Sequence, residues 1–364
     1  MTPRYRGTVV SVDLDAVRHN VRSLLAGPAA LMAVVKGNGY GHGAVAVAEA
    51  SIQAGATWLG VALVEEGVIL RDAGISVPIL VLSEFPAGSE REALGANLTP
   101  TLCTAEGLAR LRAAASSPID VHVKIDTGMH RIGVWPPEQA AAFVGDVVAA
   151  GMVLEGLWTH LARAEDDEPT TMEQLSRFVG AVDDVKAAGH VPAVLHAANS
   201  AATILYPTSH FDLVRPGIAI YGIQPAPGIG DDLRPALSWL STVSMAKRLP
   251  AGERLSYGHQ YELTRESWIA TVPVGYADGY PRAASSRAEV LIGGRRFRVA
   301  GSVTMDQLMV DCGEHEPHPG EPVVLLGEQG GERITAEEFA GHQGTIAYES
   351  VVRIGERVPR EYVG

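Results

Sequence analysis

The sequence predicts an α/β protein built from an N-terminal (β/α)8 TIM-type barrel and a C-terminal, mostly β domain. From about residue 12 to 225, eight short apolar runs alternate with segments whose apolar residues have helical spacing. Such alternation is typical of parallel βα units. After Tyr221 the pattern changes to β-like runs with few helical segments. An open, doubly wound sheet is the alternative for the first part, and the absence of a Gly-x-Gly-x-x-Gly turn after the first strand disfavours it.

The predicted elements of the first part follow one another closely along the chain. The eight strands are predicted at residues 31–36, 58–63, 79–83, 98–103, 121–126, 154–160, 193–199 and 213–221. The segments with helical spacing include residues 43–54, 65–73, 105–115, 137–150 and 173–188. Because eight strands alternate with helices, a closed barrel is the expected arrangement.

The second part begins after a linker at residues 224–232, which is rich in proline and glycine. The β-like runs beyond it are residues 238–248, 268–274, 296–303 and 322–326, and the helical ones are 335–341 and 346–352. We expect residues 8–12, which precede the first helix, to pair with this part. The predicted domains are therefore a barrel over residues 12–230 and a β domain over residues 1–11 and 231–364.

Composition excludes several classes of protein. A net charge of −13 disfavours a nucleic-acid partner. No apolar run is long enough for a transmembrane helix, and no signal-peptide core follows the N-terminus, so a cytoplasmic protein without a membrane partner is expected. Cys103 and Cys312 are the only cysteines, and they give neither a disulfide framework nor zinc spacing. No metal site is expected; a single disulfide between them stays open but is not favoured.

The most informative motif starts at Lys36, which ends the first predicted strand and is followed by Gly37, Asn38, Gly39 and Tyr40. Burial at a strand end lowers the pKa of a lysine, and a neutral amine attacks carbonyl compounds. The glycines allow positive φ and a close approach of the backbone to a ligand. The alternative interpretation is a solvated lysine followed by a flexible turn.

Other ends of predicted strands carry polar residues of the same kind. Lys124 and Arg131 belong to the fifth strand and the loop after it, His160 ends the sixth, and Arg215 lies on the eighth. Each of these alone could be structural, but the C-terminal strand ends of a barrel meet at one face. A cation-rich, anion-binding pocket is therefore predicted at that face.

These segments together resemble the alanine racemase family, which are fold-type III pyridoxal 5′-phosphate enzymes. The likeness extends from about residue 8 to the end of the chain. It depends on the Lys36–Tyr40 loop, the segment from Lys124 to Arg131, the Arg215-Pro-Gly217-Ile218 segment and the Ser-Tyr257-Gly segment, in the family's order. The family's fold, a (β/α)8 barrel followed by a β domain, agrees with the organisation predicted above.

The resemblance implies an isomerase that interconverts L-alanine and D-alanine and supplies D-alanine for peptidoglycan. Lys36 would hold pyridoxal phosphate and act as one of two bases, and Tyr257 of the second subunit of a homodimer would be the other. Arg215 would face the pyridine nitrogen, His160 would lie near Arg215 and Tyr257, and Asp306 would be among the catalytic residues. The residues at the phosphate would be Tyr40, Ser200, Gly217, Ile218 and Tyr348, and those at the substrate Arg131, Met305 and Tyr276. Lys124 would carry a carbamate, as in some members.

Alternatives remain at this stage. The nearest is a broader-specificity racemase, or one for serine or basic amino acids, with the same machinery. A fold-type III decarboxylase would carry a carboxylate in place of Arg215, and a non-catalytic pyridoxal-phosphate carrier would lack the β domain. The sequence departs from most members at Gly37 and Gly39, where alanine is frequent, and at Thr304, where cysteine is frequent.

Overall fold

A computed structural model describes residues 5–25 and 27–364 and divides them into two compact units. The barrel unit contains residues 15–39 and 43–234, and the sheet unit contains residues 5–14, 40–42 and 235–364. The domain boundaries expected from the sequence stay predictions. Residues 1–4, which were assigned to the β domain, lie outside the described residues. Within the described residues, no helix is long and apolar enough to cross a membrane.

The first elements are β1 (Val9–Asp13), which lies in the sheet unit, and α1 (Leu14–Leu24), which lies in the barrel unit apart from Leu14. The barrel strands are β2 (Ala30–Val34), β3 (Trp58–Val61), β4 (Ile79–Val81), β5 (Thr101–Leu102), β6 (Asp120–Lys124), β7 (Val153–Trp158), β8 (Val194–His196) and β9 (Leu213–Val214). The helices of this unit are α2 (Ala44–Gln53), α3 (Val64–Asp72), α4 (Glu90–Gly95), α5 (Ala105–Ala114), α6 (Ala140–Ala149), α7 (Glu168–Ala187) and α8 (Ser200–Leu205).

The eight parallel strands close into a barrel, as predicted. They form two four-stranded sheets in the orders β4-β3-β2-β9 and β5-β6-β7-β8. Backbone hydrogen bonds join the sheets at both seams, from Val81 N to Thr99 O (3.0 Å) and from Arg215 N to Ala198 O (2.9 Å). Most strand residues are apolar and buried because helices cover the outside of such a sheet. The alternative of an open sheet is therefore wrong.

Several barrel elements differ from their predicted extents, and two of them have a clear physical reason. The strand predicted at residues 213–221 is a strand only at Leu213–Val214, because Pro216 has no N–H to donate and a 3-10 turn occupies Ile218–Tyr221. The helix predicted at 173–188 begins earlier, at Glu168, because the carboxylate of Asp167 caps it by accepting from Thr170 N at 3.0 Å.

The sheet unit has strands β10 (Leu237–Thr242), β11 (Met245–Leu249), β12 (Arg254–Leu255), β13 (Tyr261–Glu262), β14 (Ser267–Val272), β15 (Glu289–Ile292), β16 (Arg295–Val299), β17 (Leu308–Gly313), β18 (Pro322–Gln329), β19 (Glu332–Ile334) and β20 (Arg360–Val363). Its helices are α9 (Ala336–Gln343) and α10 (Ala347–Val352). The main sheet has the order β11-β14-β17-β16-β15-β18-β10-β1-β20. The predicted pairing of residues 8–12 with this unit is confirmed: β1 is antiparallel to β10 and parallel to β20.

Candidate functional site

Lys36 lies two residues beyond β2, directly after the buried residues Val34 and Val35. Burial lowers the pKa of its ammonium group, the charge of Arg131 lowers it further, and Glu66 opposes the shift. The Glu66 carboxylate is bound by backbone amides: it accepts from Gly37 N at 2.6 Å and from Ala62 N at 2.8 Å. This carboxylate therefore fixes the turn after Lys36 without forming an ion pair with the lysine.

The residues after Lys36 form a left-handed turn. Gly37, Asn38, Gly39 and Tyr40 have φ values of 61°, 51°, 60° and 49°. At positive φ a Cβ is strained against the backbone, and glycine avoids this strain because it has no Cβ. The turn redirects the chain immediately beyond the lysine.

Lys124 is the last residue of β6 and is buried, with its Nζ 4.5 Å from the centre of the Trp158 ring. Burial, followed by the charges of Arg131 and Arg215, lowers the pKa of Lys124 to about 7. A large fraction of this amine is neutral at physiological pH.

Asp126 builds the loop that leads to Arg131. Its Oδ1 accepts from the backbone amides of Gly128, Met129 and His130 at 3.0, 3.1 and 3.0 Å. Asp126 was not among the predicted site residues, although aspartate followed by glycine after a strand is a recognisable turn signal.

Within the barrel unit, the charge of Arg131 lowers the pKa of both Lys36 and Lys124. Among the described residues, none of the three forms an ion pair with a carboxylate. Lys124 is buried, Lys36 is half-buried and Arg131 is exposed. Cations that lack a protein counter-ion attract an anionic ligand. The three cations thus influence one another within this unit, and the anion-binding pocket expected around them stays a prediction.

Arg215 follows β9 and is almost fully buried. It donates to His196 Nδ1 (2.9 Å), to the carbonyls of Thr159 (2.7 Å) and Ala197 (3.1 Å), and its Nη2 lies 3.4 Å from His160 Nδ1. Burial lowers the pKa of Arg215 to about 9, so the guanidinium still carries its charge at neutral pH. Burial and then Arg215 lower the pKa of His160, which favours the neutral imidazole.

Ser200, Gly217 and Ile218 meet beyond the ends of β8 and β9. The Ser200 hydroxyl oxygen accepts from Gly217 N at 2.9 Å and from Ala219 N at 3.3 Å. Because both contacts use the oxygen as acceptor, the O–H proton of Ser200 is left for a further acceptor. A hydroxyl among backbone amides suits a phosphate group.

The other predicted site residues lie in the sheet unit. Tyr257 is 75% exposed and borders a groove of about 790 Å³. Ser256, which precedes it, has φ 63° and donates its hydroxyl to Ser302 O at 2.7 Å, while Ser302 donates to Tyr257 O at 3.1 Å. These reciprocal bonds fix the backbone of Tyr257 and leave its phenol projecting from the unit.

Tyr276 and Met305 lie side by side on two paired segments. Tyr276 N donates to Thr304 O and Ala277 N to Met305 O, both at 3.0 Å. The Thr304 hydroxyl donates to Gln307 O at 2.7 Å and accepts from Gln307 N at 3.2 Å. The threonine that departs from the family pattern therefore closes the turn that carries Met305.

Asp306 is engaged in an ion pair. Its carboxylate accepts from Arg357 Nη2 at 2.8 Å, and Arg357 also lies 3.5 Å from the fully buried Asp278. Asp278 accepts from Arg6 and from Gly275 N, the residue before Tyr276. This cluster joins the two segments that carry Tyr276 and Met305, and sequence reasoning gave no role to Asp278 or Arg357.

Tyr40 and Tyr348 also lie in the sheet unit, with ring centres 6.2 Å apart. Gly41 holds the tripeptide 40–42 in that unit: a Cβ there would overlap the carbonyl oxygen of Val351, and Gly41 O accepts from Arg360 Nε at 3.0 Å. The close backbone approach requires glycine at this position.

Both halves of the chain match family models. Residues 12–225 match the family described as alanine racemase, N-terminal domain, and residues 236–362 match alanine racemase, C-terminal domain. The alanine racemase of Symbiobacterium thermophilum is 50% identical over 370 residues, covering 99% of this chain and 98% of the relative. That of Frankia casuarinae is 45% identical, covering 97% and 95%.

Solved structures agree with these sequence matches. The alanine racemase of the D-cycloserine producer Streptomyces lavendulae has a TM-score of 0.95 at 42% identity, covering 100% of this chain and 98% of its own. The alanine racemase of Bacillus anthracis, solved with bound L-Ala-P, has a TM-score of 0.94 at 38% identity, covering 100% and 96%.

Proposed function

The chain belongs to the alanine racemase family, and from this premise we propose that it interconverts L-alanine and D-alanine at the barrel-unit site, with Lys36 as one of two bases. The observation that carries the proposal is the position of Lys36 at a barrel strand end, within the electrostatic influence of Arg131 and without a carboxylate ion pair among the described residues. This gives a nucleophilic amine next to a group that binds carboxylates. Supply of D-alanine for peptidoglycan and a cytoplasmic location are part of the same proposal.

The residues present fit pyridoxal phosphate. When bound, this cofactor supplies an aldehyde for an amine and a ring that takes up negative charge from Cα. Lys36 would hold the aldehyde carbon, and the Ser200 hydroxyl with the backbone at Gly217 and Ile218 would hold the phosphate. We assign Tyr40 and Tyr348 to the same phosphate.

Arg215 suits a ring nitrogen that carries no proton. A guanidinium can donate hydrogen bonds but cannot accept them. It would therefore bind the nitrogen lone pair, whereas a carboxylate would favour the protonated ring. This difference disfavours the fold-type III decarboxylase, which carries a carboxylate at this position.

Racemisation removes the Cα proton on one face and returns a proton on the other. We propose that Lys36 acts on one face and that Tyr257 of a second copy of the chain acts on the other, since the phenol of Tyr257 projects from the sheet unit. A general base works best when its pKa lies near the working pH, and burial moves Lys36 in that direction. Arg131 would bind the substrate carboxylate, with Met305 and Tyr276 of the second copy bordering the substrate.

Three further residues receive supporting roles. His160 contacts Arg215 and would connect it to Tyr257. Lys124 would carry a carbamate that orients Arg131, because its lowered pKa leaves neutral amine to react with carbon dioxide. Asp306 was expected among the catalytic residues; its ion pair with Arg357 supports a positioning role for the Met305 segment.

The first test is a proton-exchange assay. The purified protein, loaded with pyridoxal phosphate, is incubated with L-alanine in deuterated water, and loss of the α-proton is followed together with the appearance of D-alanine. We expect both in the wild type and neither in Lys36→Ala. Lys186→Ala, which removes an exposed lysine of α7, is the matched control and should keep full activity.

A cofactor-loaded protein that exchanges no proton of alanine would refute the proposed substrate. The same assay with serine, lysine and arginine then tests the alternative racemases. Faster turnover of any of these than of alanine would assign that substrate instead.

A further inference from the structure

Two buried histidines connect Arg215 to a carboxylate inside the barrel. Arg215 Nη1 lies 2.9 Å from His196 Nδ1, His196 Nε2 lies 2.8 Å from His122 Nδ1, and His122 Nε2 lies 3.2 Å from Glu155 Oε2. We call His196 and His122 the histidine bridge. Both imidazoles are fully buried, whereas the Glu155 side chain is 27% exposed.

The two ends of the bridge fix the direction of every hydrogen bond. Arginine only donates, so His196 Nδ1 must accept and its Nε2 must carry the proton. That proton is donated to His122 Nδ1, which leaves the His122 proton on Nε2. An ionised carboxylate only accepts, so Glu155 completes the series with no donor facing a donor.

The charges around the bridge support neutral imidazoles. Burial is the main cause that lowers the pKa of His196 and of His122, and the charge of Arg215 lowers both further. Glu155 opposes the shift at His122. A neutral imidazole has one donor and one acceptor nitrogen, as the series requires.

The backbone is shaped to admit this arrangement. Strands β6 and β7 are in register until Val121 opposite Leu154, but His122 then pairs with Gly156, so Glu155 is the additional residue of a β-bulge. A Cβ on Gly156 would lie 2.5 Å from His122 Nδ1. The bulge re-aims Glu155, and the glycine leaves room for the His122 ring.

We propose that Glu155 is a positioning residue for Arg215, which it acts on through the histidine bridge by accepting the Nε2–H of His122 and so holding both imidazoles, as Nε2–H tautomers, against the guanidinium. Arg215 has no carboxylate partner among the described residues, and the two imidazoles of the histidine bridge separate it from the Glu155 carboxylate. The bridge thereby holds the guanidinium in place without placing a carboxylate beside it. The catalytic consequence rests on the proposed function, whereas the tautomers do not.

The tautomers can be measured directly. In protein labelled with 15N-histidine and loaded with pyridoxal phosphate, long-range 1H–15N correlation distinguishes protonated from unprotonated ring nitrogens, and His122→Asn and His196→Asn assign the signals. We expect a proton on Nε2 and none on Nδ1 for both residues. A proton on Nδ1 of either imidazole would overturn the proposal.

Two substitutions separate positioning from packing. Glu155→Gln keeps an acceptor oxygen for the His122 Nε2–H and should leave that signal nearly unchanged, whereas Glu155→Met removes the acceptor and should shift the His122 Nε2–H signal while both protons stay on Nε2. For Glu155→Met we expect kcat to fall by about tenfold, the smaller of the losses seen when the outer hydrogen-bond partner of a metal-binding histidine is removed, with KM for alanine within about twofold. Glu138→Gln, an exposed carboxylate of the same unit, is the control.

The outcomes are distinguishable. A lower melting temperature in Glu155→Met with an unchanged kcat would show a purely structural role and reject the proposal. Wild-type protein with the expected tautomers but no turnover of alanine would refute the proposed function and leave the assignment of Glu155 intact.

Discussion

Lys124 shows how a single residue can lower the stability of the fold that contains it. It is buried, contacts the Trp158 ring and has two arginines as its main charged neighbours. Its pKa is about 7 in the folded state and 10.5 ordinarily. Between these values the unfolded chain binds a proton that the folded chain does not, so stability rises with pH across that window.

This predicts a specific pH dependence for Lys124→Met in buffer free of carbon dioxide. The free energy of unfolding of the wild type, minus that of the variant, should increase by about 1.4 kcal/mol per pH unit between roughly pH 7.5 and 9.5. Urea denaturation at several pH values measures the difference, with Lys186→Met as the control. A difference independent of pH would contradict the lowered pKa.

At the scale of an element, the left-handed turn after Lys36 explains a departure from the family pattern. Gly37 and Gly39 have φ near 60°, where an L-residue with a Cβ is strained. More glycine raises the entropy of the unfolded chain, but at these two positions it also removes strain from the folded state. A Cβ at Gly39 would also lie 3.1 Å from Ala44 N.

Alanine substitutions test this account of the turn. Gly37→Ala should lower the free energy of unfolding by about 1 kcal/mol, and Gly39→Ala should lower it further because of the contact with Ala44. The control is Gly180→Ala, on the exposed face of α7, where no atom lies within 4 Å of the added Cβ and where we expect a gain of about 0.5–1 kcal/mol. Chemical denaturation gives all three values. Equal signs at positions 39 and 180 would contradict the strain argument.

The limits of sequence prediction also appear at this scale. Apolar runs located all eight barrel strands, because buried parallel strands are continuous hydrophobic segments. Strand β15 was missed because it has only four residues, and β17 because it mixes charged and small residues with apolar ones. Strand ends revealed Lys36 and Arg215, but the histidine bridge depends on a one-residue bulge that no local pattern encodes.

For the whole molecule, the proposed homodimer makes each active site depend on two chains. Lys36 and Tyr257 would then come from different subunits at every site. Two inactive variants should therefore complement each other, because a mixed dimer contains one site with both residues intact.

The prediction is that Lys36→Ala and Tyr257→Phe, each inactive alone, regain about a quarter of wild-type activity when they are unfolded and refolded together in equal amounts. Half of the dimers would be mixed, and each would have one complete site. Refolding Lys36→Ala with the Lys36→Ala/Tyr257→Phe double variant is the control and should give none. Full activity in a verified monomer would reject the shared site.

The position of β1 has a consequence for biosynthesis. Val10 lies opposite Trp239 on one side and Arg360 on the other. Of the described strands, β1 leaves the ribosome first, and its parallel neighbour β20 leaves last. All barrel strands are outside the ribosome long before that moment. Completion of the sheet unit is thus tied to the last stage of translation, and the first strand made is among the last to be enclosed.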